Sequence, residues 1–270
     1  MSRHAESEAI VLDARLAGEA DRRVVLLCAS GELVRGVAHA AARSRKRFGG
    51  ALQPGARVRA RWSVRREGAE AVLEEAQLVA SPPPGDPLER LYLAAHLLEL
   101  AGAFAREGAE DPRLYRLLGA CLDALAAGAR PDPLARYAEA WTLRLAGLLG
   151  DLEACDECGA PLAGRRAQLA PESGAVCAAH GVPGARTLGP GATAWLAATV
   201  RVGPAAIPDL PAPVGRELAG ALPALVVAFT GRPLVAWPAL TTLRAERPRP
   251  ARRAPAAPAG KDSARTRPSR

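Results

Sequence analysis

The segment "ARVRARWSV", residues Ala56–Val64, alternates strictly between apolar and polar side chains. In an extended chain Val58, Ala60 and Trp62 fall on one face, and the arginines between them fall on the other. A period of two predicts a β-strand with one face in a core and the other in solvent.

Further strands are predicted on both sides of this segment, within the first eighty residues. Glu8–Leu16 has extended character, and Arg22–Ala38 consists of two apolar runs around the turn signal Ser30-Gly31-Glu32. Arg66–Ala80 contains a turn followed by a last strand. Five short strands suit a small closed barrel, because closure removes exposed strand edges.

The sequence after residue 80 has a different character. "SPPPGDP", residues 81–87, contains three consecutive prolines, which favour a stiff, extended linker. From Leu88 the pattern is helical, and Asp111–Gly128 and Asp132–Gly150 both open with Asp-Pro and close with Gly, as helices commonly do. We therefore predict an α+β protein with a barrel domain over residues 1–80, a linker over 81–87 and a helical domain over 88–245.

Charge is distributed unevenly along the chain. The 270 residues include 36 Lys and Arg against 28 Asp and Glu, for a formal net charge of +8. The net charge is +4 over residues 1–80, −4 over 81–154 and +6 over 246–270. These differences indicate separate surfaces for separate partners. Residues 246–270 are rich in Pro, Ala and Arg and poor in bulky apolar side chains, which predicts a basic disordered tail.

Several protein classes are disfavoured. The chain starts without a hydrophobic signal segment, and its longest apolar run, Ala221–Phe229, is too short to cross a bilayer. We therefore expect no membrane partner. An odd number of cysteines, with Cys28 and Cys121 alone in apolar stretches, indicates a reducing cytoplasm. Because P-loop, nucleophile-elbow and H-E-x-x-H motifs are absent from the sequence, an enzyme is the weaker hypothesis.

A cluster of metal-binding residue types lies between residues 151 and 185, a segment called the Cys/His module below. Cys155 and Cys158 form C-x2-C, and Cys177 and His180 form C-x2-H after eighteen intervening residues. Two short-spaced pairs joined by a hairpin are the arrangement that a tetrahedral Zn²⁺ needs.

The details of the Cys/His module favour a structural zinc site. Gly159 and Gly181 each follow a pair, where we expect a positive φ. Four local ligands close the coordination shell, whereas a catalytic zinc keeps one position open. Two disulfides or chance spacing are the alternatives, but His180 cannot join a disulfide.

Basic residues cluster in "ARSRKRFGG", Ala42–Gly50, which is called the basic loop below. Its guanidinium and ammonium groups can follow a phosphate backbone, and Phe48 offers a platform for base stacking. The arginine row on the polar face of the Ala56–Val64 strand follows directly. The alternative is a solvated loop beside a polar strand face. The predicted nucleic-acid contacts are Arg35, Arg43, Arg45, Lys46, Arg47, Phe48 and the arginine row Arg57, Arg59 and Arg61.

Taken in order along the chain, these segments resemble the bacterial RecO family of DNA repair and recombination proteins. The likeness is carried by the opening strands with Gly18–Asp21, by the basic loop ending in Arg-Phe-Gly, and by the run "LRLAGLLGDLEACDECG" into the first cysteine pair. "GRPLVAWPAL", Gly231–Leu240, resembles a late segment of the family. The family commonly has a cysteine at the position of His180, and histidine is also a competent zinc ligand.

The resemblance implies a fold and a function. It implies an N-terminal OB-fold barrel and an all-α domain with a zinc-binding insertion. It also implies a non-enzymatic mediator that binds single- and double-stranded DNA, anneals complementary strands, and works with RecR to replace single-stranded-DNA-binding protein with RecA on gapped DNA. Such a protein is cytoplasmic and associated with the nucleoid. A zinc-dependent hydrolase and a zinc-bearing nucleic-acid adaptor without annealing activity are the rival hypotheses.

Overall fold

The computed structural model describes residues 3–246 except 67, 86, 109, 151, 171–173 and 182, and it leaves out the side chains of residues 170 and 244–246. The predicted tail therefore lies outside the described residues, apart from the backbone of Glu246. Mixed α+β architecture is confirmed, with strands first and mostly helices after them.

Five strands form a closed barrel in the order β1-β2-β3-β5-β4. Neighbouring strands are antiparallel except β3 and β5, which run parallel. The predicted turn at Ser30-Gly31-Glu32 joins β2 to β3 and is confirmed. The strands are β1 (Arg3–Ala17), β2 (Asp21–Cys28), β3 (Leu33–Ala38), β4 (Arg57–Val64) and β5 (Ala71–Ala80).

The described residues also form seven helices, one between β3 and β4 and six after the barrel, and a small three-stranded sheet. The single-turn α1 (Arg45–Phe48) lies within the basic loop. The helical region contains α2 (Leu88–Phe104), α3 (Arg113–Ala126), α4 (Pro131–Leu145), α5 (Pro190–Thr199), α6 (Ala212–Thr230) and α7 (Ala236–Glu246). The small sheet has the order β7-β6-β8, with β6 (Ala167–Ala170), β7 (Gly174–Cys177) and β8 (Arg186–Leu188).

Successive residues of β1 enter two different cores. Ala9 and Val11 lie inside the barrel, whereas Ile10 and Leu12 face outward and join the core of the helical region. Both faces of this strand are therefore buried, which explains why the run "AIVL" is apolar without alternation. The barrel and the helices pack directly on one another.

Hydrogen bonds connect the barrel and the helices at this junction. The backbone amide of Leu33 donates to the carbonyl oxygen of Arg106 at 3.2 Å. Arg57 reaches from β4 to α3, where it donates to the carbonyl oxygen of Gly119 at 2.7 Å and to Asp123 Oδ2 at 2.6 Å.

The apolar run Ala221–Phe229, which is too short to cross a bilayer, lies within the longer helix α6. By length and composition alone, this one helix among the described residues could cross a membrane. It contains Pro223, and Leu218, Leu222 and Leu225 are buried in the core of the helical region, where α6 packs against α4. A core helix of a folded domain meets the same criteria.

Candidate metal centre and nucleic-acid interface

The four predicted ligands converge in the Cys/His module. The Sγ atoms of Cys155, Cys158 and Cys177 and a ring nitrogen of His180 all lie within 4.8 Å of one another. The Cys158 and Cys177 sulfur atoms are 3.9 Å apart, and Cys177 Sγ is 3.3 Å from His180 Nδ1. These residues could hold one metal ion.

Local backbone geometry sets the first pair. The Cys155 amide donates to the carbonyl oxygen of Ala160 at 2.7 Å, and the Gly159 amide donates to that of Cys155 at 2.8 Å. This tight turn brings the two sulfur atoms to one side. Gly159 has φ +70°, so the predicted positive φ is confirmed there.

The second pair is positioned differently. Cys177 ends β7, and His180 ends a 3₁₀ turn over Ala178–His180. Gly181 has φ −62°, so the prediction of a positive φ is wrong at this position. A Cβ atom at this position would approach the end of the Gln168 side chain, which would have to move.

The donor set fits a zinc ion. A tetrahedral site with Zn–S bonds of about 2.3 Å places its sulfur atoms about 3.8 Å apart, close to the separation of Cys158 and Cys177. The pKa of the Cys155 thiol is lowered because the backbone amide of Cys177 donates a hydrogen bond to its sulfur. A lowered pKa favours the thiolate, which is the form that binds a metal.

An acidic residue braces the two halves of the module. Asp156 Oδ2 accepts from the Ala175 amide at 2.7 Å, and the Asp156 amide donates to the Ala175 carbonyl oxygen at 3.0 Å. This role is not visible in the sequence, because an aspartate between two cysteines looks like any solvated loop residue. Asp156 ties the C-x2-C turn to β7, which carries the third ligand.

The remaining cysteines are not part of the cluster. Burial raises the pKa of the Cys28 thiol to about 12 and that of the Cys121 thiol to about 12. Both lie in apolar cores, as expected for unpaired thiols that act as small hydrophobes.

In the basic loop, the prediction that Phe48 is a stacking platform is wrong. Residues 45–48 form one helical turn whose Ser44 Oγ accepts from the Arg47 amide at 3.4 Å. This turn points Phe48 inward, where its exposed fraction is 2% and it packs in the barrel core. Burying its ring is more favourable than leaving it in water.

The four cations of the basic loop differ in how they are held. Arg43 lies 3.5 Å from Glu19, and Arg47 donates to the His39 carbonyl oxygen at 2.8 Å. Arg45 and Lys46 are exposed and have no ion-pair partner among the residues that the structure describes. These two are the loop cations most available to a phosphate.

Asp21 anchors the start of the basic loop. Its Oδ1 accepts from the Ala40 amide at 2.8 Å, and its Oδ2 is 2.8 Å from His39 Nδ1. The pKa of Asp21 is lowered, chiefly by the hydrogen bond from the Ala40 amide and then by His39. The position of Asp21 directly after a tight turn is the sequence signal that could have indicated this anchoring role.

The arginine row is on the outer face of the barrel, as the alternation predicts, but carboxylates surround it. Arg59 lies 3.6 Å from Glu8, and Arg61 lies 3.3 Å from both Glu74 and Glu75. Arg57 is held at the junction with α3. The row is therefore largely neutralised by its own neighbours.

Arg35 is in a similar position on β3. It is exposed and paired with Glu107. A phosphate would have to compete with that carboxylate. Arg35 and the arginine row thus differ from Arg45 and Lys46 in their availability.

The geometry defines an α+β protein with a five-stranded barrel, a helical region packed on it and a Cys₃His cluster that could hold a metal. Two family models match the chain: Recombination protein O N terminal over residues 1–82, and Recombination protein O C terminal over residues 86–221. The chain belongs to the recombination protein O (RecO) family. The resemblance drawn from the sequence is confirmed.

Curated relatives agree over most of the chain. The DNA repair protein RecO of Anaeromyxobacter sp. (strain K) is 40% identical over 239 residues, covering 84% of this chain and 92% of the relative. The protein of the same name from Anaeromyxobacter dehalogenans (strain 2CP-C) is 41% identical over 240 residues, covering 84% of this chain and 92% of the relative. That of Geobacter metallireducens is 36% identical over 198 residues, covering 73% of this chain and 80% of the relative.

Proposed function

We propose that this protein is a DNA repair and homologous recombination mediator that binds single- and double-stranded DNA and anneals complementary strands. The observation that carries the proposal is the match to both family models, together with relatives named as DNA repair proteins. In this proposal the protein makes and breaks no covalent bonds. It works by binding alone.

The barrel is proposed to be of the OB type. Its five strands close in the order 1-2-3-5-4, with β3 and β5 as the parallel pair. A short helix between β3 and β4 carries Phe48 into the barrel core. Small barrels of this type bind oligonucleotides on one face and on neighbouring loops.

Neutralisation of phosphates is the proposed mechanism of annealing. Two complementary strands repel each other until cations screen their phosphates. Arg45 and Lys46 point to solvent without a carboxylate partner among the described residues, and Arg43 and Arg47 lie beside them. The arginine row is assigned a smaller part, because a phosphate must compete with the carboxylates that surround it.

The metal is proposed to be one structural Zn²⁺ bound by Cys155, Cys158, Cys177 and His180. When bound, the ion links the two short turns and supplies folding free energy to the Cys/His module. Four protein ligands leave no open position for water, which argues against the rival zinc-dependent hydrolase. A nucleic-acid adaptor without annealing activity is the second candidate, because such a protein would contain the same kind of structural zinc site.

Domain boundaries, partners and location are also part of the proposal. We assign the barrel domain to residues 1–80, the linker to 81–87, the helical domain to 88–245 and the zinc module to 151–185. We further propose that the protein works with RecR and single-stranded-DNA-binding protein, promotes RecA loading on gapped DNA, and is located in the cytoplasm in association with the nucleoid. Membership in the family supports these assignments. The acidic stretch over residues 81–154 suits a protein partner better than DNA.

A strand-annealing assay on the full chain tests the proposal. The double variant Arg45→Ser/Lys46→Ser should anneal complementary oligonucleotides several-fold more slowly than the wild type. If about five phosphates are contacted, log K should fall with log salt at a slope of about −3.5, and the variant should lose about 1.4 of that slope.

A matched control separates a local effect from a general loss of charge. Arg165 and Arg166 are likewise adjacent and exposed, but they lie in the Cys/His module. Arg165→Ser/Arg166→Ser should anneal like the wild type. A wild-type protein that binds DNA without annealing would favour the adaptor, and hydrolytic turnover would favour the hydrolase.

A further inference from the structure

A hollow of about 470 Å³ opens at the end of the barrel where β1 begins and β4 ends. Three arginines line it: Arg3 on β1, and Arg65 and Arg66 directly after β4. The strand register brings them together, because Arg3 pairs with Val64 in the ladder between β1 and β4. The hollow with these three arginines is called the arginine hollow below.

The three arginines are available to a ligand. All three are exposed, and none has an ion-pair partner among the residues that the structure describes. The arginine row on the neighbouring strand β4 differs in this respect because each of its members lies beside a carboxylate. An anion entering the arginine hollow displaces no paired carboxylate.

The other residues that line the arginine hollow provide an apolar base and one negative charge. Trp62, which is only 5% exposed, and Val64 provide apolar surface at the base. Glu32, on the turn between β2 and β3, is the single carboxylate among the lining residues that the structure describes. Three cations against one anion leave a local excess of positive charge, and the volume is in the range of small-ligand sites.

We propose that the arginine hollow binds phosphate groups of a single nucleic-acid strand, as a site separate from the basic loop. The proposal deepens the proposed function and rests on it. Clustered guanidiniums bind phosphate oxygens through charge-assisted, often bidentate hydrogen bonds. A loop between the fourth and fifth strands is also a place where OB-type barrels contact oligonucleotides.

The two sites are far enough apart to be tested separately. The basic loop lies beside the far end of β1, where the Ala42 amide donates to the Ala20 carbonyl oxygen at 2.9 Å. The arginine hollow lies at the first residue of the same 15-residue strand. The two ends of this strand pair with different neighbours, β4 at its start and β2 at its end, and the two sites share no residue, so effects of substitutions at the two sites should add.

The experiment measures equilibrium binding of a fluorescent oligothymidylate to the full chain over a series of salt concentrations. Arg65→Ser/Arg66→Ser should weaken binding about tenfold and make the salt slope shallower by about 1.4, as expected for two lost phosphate contacts. Arg165→Ser/Arg166→Ser removes the same charge elsewhere and should leave both quantities unchanged. Equal losses in the two variants would overturn the site, because the effect would then be one of net charge alone.

A variant that is expected to bind more tightly than the wild type distinguishes a change in the site from misfolding, because a misfolded protein would lose affinity. Glu32→Gln removes the carboxylate that opposes a phosphate, so it should tighten binding several-fold in wild-type protein and have little effect in Arg65→Ser/Arg66→Ser. Unchanged binding in the Glu32→Gln protein would count against the hollow. Comparing oligothymidylates with a 5′-phosphate and a 5′-hydroxyl distinguishes the strand end from interior phosphates: a loss limited to the phosphorylated form assigns the hollow to the end.

The inference and the proposed function can fail independently. If the arginine hollow variants bind like the wild type while Arg45→Ser/Lys46→Ser loses affinity, the hollow is refuted and the function stands. If the wild-type protein binds no oligonucleotide, the proposed function is refuted first.

Discussion

The barrel and the helical region bury different kinds of side chains. In the barrel core the buried side chains are apolar, from Ala9 on β1 to Leu73 on β5. All the buried polar side chains of the described residues lie in the helical region, among them His96, Arg136 and Glu139. An apolar core is specified by the pattern of each strand alone, whereas a buried polar group depends on a partner that is distant in sequence.

Metal removal should produce the largest difference between the two regions. Structural zinc sites contribute about 10–16 kcal/mol of apparent binding free energy to small modules. A chelator or Cys158→Ser should therefore abolish the hydrogen-exchange protection of amides in β6 and β7. Amides in β1 to β5 serve as the internal control and should keep their protection.

A thiol substitution in the barrel sharpens this test. Cys28→Ala removes a buried thiol that is no part of the cluster, so it should cost about 1 kcal/mol and leave the zinc content at one ion per chain. If the metal-free protein protected β6 and β7 as well as the zinc-bound protein, the structural role of the cluster would be refuted.

Breaking the buried ionic cluster of the helical region should have the next largest effect. Glu139 Oε1 is 3.0 Å from His96 Nε2, and Glu139 Oε2 is 2.7 Å from the Arg136 guanidinium, with all three residues at most 3% exposed. Glu139→Gln leaves the Arg136 charge buried and unpaired, so it should lower the free energy of unfolding by about 3–5 kcal/mol. Urea denaturation at neutral pH measures the change.

An ion pair on the barrel surface provides the comparison. Glu74 lies 3.3 Å from Arg61 and remains partly exposed to solvent. Glu74→Gln should cost less than about 1 kcal/mol, because water screens the pair. Similar costs for Glu74→Gln and Glu139→Gln would mean that burial does not set the strength of these contacts.

Local patterns were sufficient to predict much of the fold. The alternation in β4 predicted its inward and outward faces. The Asp-Pro and Gly signals placed both ends of α3 and the start of α4 within two residues, but α4 ends at Leu145, five residues before Gly150. The metal cluster was also predicted, because its ligands come in two local pairs. Each of these features depends on residues close in sequence.

Features that depend on distant contacts were not predicted. Strand β8 has three residues and no pattern of its own, and it exists because Leu188 pairs with Ala167. Phe48 looked like a loop residue, but a helical turn places it in the barrel. Arg57 looked like the other members of the arginine row, yet α3 supplies its partners. In each case the deciding neighbour lies elsewhere in the chain.

A smaller effect than the loss of Glu139 is expected at the junction between the two regions. Gly31 has φ +98°, and a Cβ atom there would overlap the backbone carbonyl of Asp111 before α3. Gly18 has φ +80° in the turn between β1 and β2, but a Cβ atom there would have nothing within 4 Å. The two glycines share a left-handed conformation and differ only in what surrounds them.

Gly18→Ala should therefore lower the free energy of unfolding by about 1–2 kcal/mol, the cost of a left-handed alanine. Gly31→Ala carries that cost and an overlap with backbone that cannot move freely, so it should lose about 3 kcal/mol. Exchange of the Leu33 amide, which donates to Arg106 across the junction, should rise in Gly31→Ala and not in Gly18→Ala. Equal losses in stability, with an unchanged exchange rate of the Leu33 amide, would contradict this prediction. The stability of the barrel would then not depend on its packing against the helices.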